Sequence, residues 1–156
     1  MKPLWTVLAL TTALTLPSIA AAREVTLTTT LREYRGENAF LALYMTDASG
    51  AYVGSLWLAA SKARWYDSLS DWYRATGGSY AEVSGITGAS VGAGRTLTVT
   101  LDLADALIDA GYQIHIDTAV EHLYSSPSEI VVPLTSEGAG TPVAGRAIID
   151  SFTYSM

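Results

Sequence analysis

The chain contains no cysteine. Disulfides, iron–sulfur clusters, Cys-ligated zinc and thiol catalysis are therefore excluded, and the fold must be held by its apolar core. Cations are also scarce. Nine Lys and Arg stand against fifteen Asp and Glu, a formal net charge of −6. Such an acidic chain does not suit nucleic acid or an anionic lipid surface as a partner. Histidine occurs only as His115 and His122. On an extended segment these two would stand roughly 23 Å apart, too far for one simple metal site with Asp117 and Glu121. No metal site is expected. No Ser/His/Asp order argues for hydrolase chemistry, and the glycine-rich segment lacks the Lys of a P-loop, so nucleoside triphosphate is not an expected ligand.

Long apolar runs are absent after the first residues. Lys2 supplies a positive start, residues 4–16 are apolar, and Ser18, Ala20, Ala21 and Ala22 after Pro17 offer small residues where a signal peptidase reads. This pattern predicts a secretory signal peptide over 1–22, cleaved after Ala20 or Ala22. The run is short for a membrane span, and no Cys follows it to carry a lipid anchor. The remaining chain, 23–156, is about 135 residues, enough for one exported domain with its own core.

Strand signals dominate that domain. Residues 24–32 alternate Val25, Leu27, Thr29 and Leu31 against Glu24, Thr26, Thr28 and Thr30, which is the period of a half-buried strand. Residues 39–46 form a more continuous apolar strand, and Asp47-Ala48-Ser49-Gly50 reads as a hairpin turn into a third strand at 52–59. These three predict one antiparallel sheet. Further strands are expected at 96–102, 112–120, 129–134 and 146–152, with a helical turn near 103–110. His115 and Asp117 fall on one face of the fifth of these. The expected architecture is an immunoglobulin-like antiparallel β-sandwich of about seven strands.

One segment breaks the strand pattern, residues 61–95. Ser61 is placed to cap a helix over 62–75, and Gly77-Gly78 stops it. Trp65, Leu69 and Trp72 share one helical face, with Tyr66 and Tyr73 beside them. Most of this stripe is expected to pack on the sheet. The same rings, with Tyr80, also suit the face of a flat aromatic ligand. A glycine-rich run, 85–94, follows, with no charge between Glu82 and Arg95. Its composition predicts an open loop rather than a helix or a packed strand.

Thr87-Gly88-Ala89-Ser90 resembles the core of the sequence modified by bacterial FAD:protein FMN transferases, [Ser/Thr]-Gly-Ala-[Thr/Ser]. The last hydroxyl of that pattern carries FMN as a phosphoester, which points to Ser90. The pattern has an Asp three residues before its first hydroxyl, where this chain has Ser84. Gly88 and Ala89 keep side-chain bulk away from the reacting oxygen. The order of parts across the exported chain resembles the predicted periplasmic proteins grouped as domain of unknown function 2271. The likeness rests on Leu56-Trp57-Leu58 before the Trp65/Leu69/Trp72 segment, on 82–90, and on Ala110-Gly111-Tyr112 with Glu121-His122. Leu101-Asp102-Leu103 stands where that family often has Trp-Asp-Gly.

The resemblance implies a periplasmic FMN-carrying electron-transfer protein, a redox carrier without substrate chemistry of its own. Its implied partners are the FMN transferase and a membrane-bound redox protein, with the chain peripheral to the membrane and not inserted. Ser90 would hold the flavin, Thr87, Gly88, Ala89 and Ser84 would surround it, and Trp65, Trp72 or Tyr80 would meet the ring. Arg95 is the first candidate to offset the phosphodiester charge, ahead of Arg64 and Lys62. The alternative is a non-flavinylated extracytosolic scaffold with the same sandwich, using the loop and the aromatic segment to bind protein. Ser84 in place of Asp favours that alternative.

Overall fold

The structure, a computed structural model, describes residues 21–156. Residues 1–20 of the expected signal peptide lie outside them. The strands are β1 (Ala22–Leu31), β2 (Ala39–Thr46), β3 (Tyr52–Ala59), β4 (Thr87–Gly88), β5 (Thr96–Ala104), β6 (Gln113–Val120), β7 (Tyr124–Pro133) and β8 (Ile149–Ser155). They form two sheets. One has the order β5-β1-β8 and the other β4-β3-β2-β6-β7. Every pairing is antiparallel except β3 with β4. The fold is the expected β-sandwich.

The first three strands do not share a sheet. The alternation of β1 buries Val25, Leu27, Thr29 and Leu31 on one face, and it pairs with β5 and β8. The 32–38 connection then carries the chain to the other sheet, where β2 and β3 form the expected hairpin. Periodicity reports the buried face of a strand and says nothing about its neighbour, so the pairing lay outside its reach. The β1 register begins at Ala22 opposite Ala104, and the Ala21 carbonyl accepts the Asp105 N–H at 2.8 Å. Of the two expected cleavage points, the one after Ala20 preserves these contacts.

All eight residues of β2 are buried. Leu41, Leu43 and Met45 face the sandwich interior with Leu27, Ile114, Ile116 and Phe152. Phe40, Ala42 and Tyr44 face outward, under Tyr66, Leu69 and Trp72. A strand covered on both sides cannot alternate, which is why its sequence reads as a continuous apolar run.

The cover is not one helix. A 3-10 turn (Ala63–Ser68) leads to Leu69, whose ψ of 75° breaks the helical path, and α1 (Ser70–Thr76) follows. Ser61 caps neither. Leu69, at the break, and Trp72, in α1, are both buried in the core on the outer face of β2. Gly77 ends α1 in the left-handed region at φ 65° and donates to the Tyr73 carbonyl at 2.7 Å. A short second helix, α2 (Tyr80–Val83), then brings Val83 into the same core.

Candidate functional site

The glycine-rich run is not a free loop. Thr87 and Gly88 lie parallel to Leu58 and Ala59, and the Leu58 N–H donates to the Ile86 carbonyl at 2.9 Å. Three residues on, Val91 bridges Ala39 through two bonds of 2.7 and 2.8 Å. Ala89 and Ser90 cross the gap between these anchors, at the end of the sheet where β3 stops and β2 begins. The expectation of an open loop is corrected here. Backbone pairing to an exposed sheet edge holds the run, because glycine and threonine leave its N–H and C=O groups free to bond.

Gly88 is needed at its place. A Cβ there would stand 2.7 Å from Trp57 Cζ2 and 3.4 Å from Trp57 Nε1. The indole lies close over the glycine, and its Nε1 is buried without a hydrogen-bond partner among the described residues. Close approach, rather than loop mobility, accounts for this glycine.

Ser90 is half-buried and lines a cleft of about 310 Å³. The start of the helical insert supplies Lys62, Arg64 and Trp65 to it, and the connection before β2 supplies Glu37 and Asn38. Glu121, just after β6, closes one side. Among the described residues Lys62 and Arg64 make no ion pair. The Arg64 guanidinium sits 4.9 Å from the centre of the Trp65 ring, a cation–π contact, and Trp65 stacks on Phe40 at 5.6 Å. The cleft thus presents two hydroxyls, Ser90 and Ser61, two cations without ion pairs among the described residues, the carboxylates Glu37 and Glu121, and an aromatic wall. Ammonium and guanidinium groups with an uncrowded hydroxyl fit a phosphodiester on Ser90.

The other expected residues are scattered. Arg95 is exposed and does not line the cleft, whereas Lys62 and Arg64 do. Ser84 follows α2 at an exposed turn, and Thr87 and Ala89 are exposed. Trp72 is 0% exposed, and its Nε1 donates to Ser55 Oγ at 2.8 Å, so its ring offers no face to a ligand. Tyr80 is 69% exposed and leans on Tyr66, away from the lining of the cleft. Of the three rings expected at a flavin, only Trp65 stands beside Ser90.

Residues 88–92 also read Gly-Ala-Ser-Val-Gly, the spacing of a hydrolase nucleophile elbow. The surroundings differ from that motif. No helix follows Ser90, since the chain passes into the Val91 bridge, and among the described residues no histidine hydrogen-bonds to it. The local fold around Ser90 is therefore not that of a nucleophile elbow.

His115 and Asp117 do share a face, opposite Tyr44 and Ala42 of β2. Asp117 is fully buried and accepts Tyr44 Oη at 3.1 Å and the Ser128 N–H at 2.7 Å. His115 stacks on Tyr44, and its Nδ1 lies 3.3 Å from Ser128 Oγ. Ser128 sits where the β6–β7 register slips, at φ 45°, and its hydroxyl donates to Asp71 at 2.8 Å. Burial pushes the Asp117 carboxyl up and the His115 imidazole down. No group of metal-binding side chains occurs among the described residues. This network ties the helical insert to the sheet.

The family model of a predicted periplasmic protein, DUF2271, matches residues 22–151. The chain belongs to this family. That description gives a periplasmic protein, and among the described residues no helix is long and apolar enough to cross a membrane. No curated protein and no solved structure matches the chain. The DUF2271 match runs from β1 into the first residues of β8 and covers the whole helical insert, so the Ser90 cleft lies inside the family region.

Proposed function

We propose that this DUF2271 protein is a periplasmic electron carrier with FMN attached through a phosphoester to Ser90. One observation carries the reading. The hydroxyl at the end of the Thr-Gly-Ala-Ser sequence lines a cleft together with Lys62 and Arg64, two cations that form no ion pair among the described residues although Glu37 and Glu121 line the same cleft.

The attachment balances as a transfer. Ser90 Oγ bonds to the FMN-side phosphorus of FAD, the bond from that phosphorus to the bridging oxygen breaks, and AMP departs with that oxygen. The hydroxyl proton passes to a base of the transferase. A tether prevents loss of the flavin where no cytosolic pool can refill the site. When bound, FMN supplies reversible two-electron chemistry to a donor and an acceptor at the membrane. The chain's own part is to hold and neutralise the phosphodiester, wall the site with Trp65, and keep Ser90 in place between β4 and the Val91 bridge.

The test is intact mass after co-production with a flavin transferase, for wild type and Ser90→Ala. A gain of one FMN less one water in the wild type alone is expected. An unmodified wild type beside a substrate that the same enzyme does modify sinks the reading. The non-flavinylated scaffold, which the exposed Ser84 favours, then takes its place.

A further inference from the structure

We propose that the flavin ring seats in a second cleft beyond Trp65, against Leu123 and Tyr124. The proposal rests on the flavin reading and adds the ring site that reading leaves open.

A cavity of about 300 Å³ is lined by Trp65, Val120, Glu121, His122, Leu123 and Tyr124 among others. It shares Trp65 and Glu121 with the Ser90 cleft, so the two are neighbours with these side chains between them. Their chemistry differs. The Ser90 end carries Lys62, Arg64, Glu37 and Asn38, which suit a phosphodiester and the hydroxyls of a ribityl chain. The far end carries more apolar groups, Val120, Leu123 and Tyr124 beside Trp65, and these suit an isoalloxazine edge or face, with Glu121 and His122 as its polar neighbours. Its volume lies at the lower bound for cavities that take small ligands, about 300–1,000 Å³.

The far end is exposed, yet it is built. Leu123 is 52% exposed and Tyr124 37%, although both are large apolar side chains at the tip of the β6–β7 hairpin. The hairpin is held by the Leu123 N–H donating to the Val120 carbonyl at 3.1 Å. Leu123 also lies over Gly36, where an added Cβ would stand 2.5 Å from its Cδ1. His122 is fixed at φ 60°, with Nε2 3.1 Å from Glu121 Oε1, and lines the same cavity. Trp65 already stacks on Phe40 and carries Arg64 over its ring. It serves as the wall, and ring contact falls to Leu123 and Tyr124.

The experiment uses the FMN-loaded full chain. Induced circular dichroism of the flavin band and iodide quenching of its fluorescence are compared for wild type, Leu123→Ser/Tyr124→Ser and Tyr80→Ser. The expected result is a dichroic, shielded flavin in wild type and in Tyr80→Ser. In the hairpin variant the dichroism falls and the iodide quenching rises to the values of free FMN, with the mass gain kept. Should that variant unfold in the far ultraviolet, Leu123→Gln, at the more exposed position, is expected to give a partial loss. A hairpin variant that keeps the wild-type dichroism overturns the ring site alone. So does a loaded wild type whose flavin behaves as free FMN. A wild type with no mass gain overturns the flavin reading and the ring site with it.

Discussion

Asp117 of β6 caps Trp72 of α1: the carboxylate Oδ2 accepts the Trp72 backbone N–H at 2.8 Å, although 45 residues separate them. Leu69, the residue at the helix start, has no side chain able to do this. The buried carboxylate therefore fastens the helical insert to the sheet. Asp117→Ala leaves the Trp72 and Ser128 N–H groups without their acceptor. It is expected to destabilise the fold by at least about 1–3 kcal/mol, read from the urea midpoint. Asp117→Asn, which keeps one acceptor oxygen, is expected to cost less.

The same network sets a pH dependence. His115 has its folded pKa held below the ordinary 6.5 by burial, so the unfolded chain binds its proton more readily. Its contribution is intact above 6.5 and is lost progressively as the pH falls through the folded value. Asp117 runs the other way. Its folded pKa is raised above 3.8 by burial, so its contribution is full below 3.8 and declines as the pH rises through the folded value. Thermal midpoints measured on acidification from neutral pH are expected to fall in the wild type and to fall less in His115→Gln. An equally steep decline in both proteins would remove His115 from this account.

Gly88 against Trp57 predicts an overpacking cost. Gly88→Ala places a methyl 2.7 Å from the indole and must displace the ring or the strand. A loss of about 1–3 kcal/mol is expected, together with a lower fraction of FMN-loaded protein because Ser90 moves with the strand. Trp57→Phe on the Gly88→Ala background is expected to restore part of both. A double-mutant cycle in midpoint and loaded fraction reads this coupling.

The cations beside Ser90 give a further expectation. Lys62→Gln and Arg64→Gln each are expected to lower the FMN-loaded fraction, whereas Arg95→Gln, outside the cleft, leaves it unchanged. Ser84→Asp, at an exposed position that accepts a carboxylate without packing changes, is expected to raise it. Intact mass after co-production for a fixed time measures all four. No fall in Lys62→Gln and Arg64→Gln would mean the phosphodiester lies elsewhere.

Much of the fold was legible because burial leaves a local record. Strands that alternate, the unbroken apolar run of β2, the Gly77 stop and the Thr-Gly-Ala-Ser sequence can all be read from residues close together in the chain. The signal-like start and the absence of cysteine likewise need no coordinates. What a strand pairs with is a different matter. The sequence of β1 is equally compatible with either sheet, and only the packed sandwich decides that it joins β5 and β8 rather than β2. The aromatic segment shows the same division. Its spacing marks the inward face, but the break at Leu69 is seen only in the folded chain. Burial there takes Trp72 away from any ligand and leaves Trp65 at the cleft. Lys62 and Arg64, and not Arg95, line the cleft beside Ser90 because strand pairing, not sequence distance, brings the end of β3 against the glycine-rich run. Local order in the chain sets which groups are apolar, small or hydroxylated. Long-range backbone pairing and packing set which of them meet.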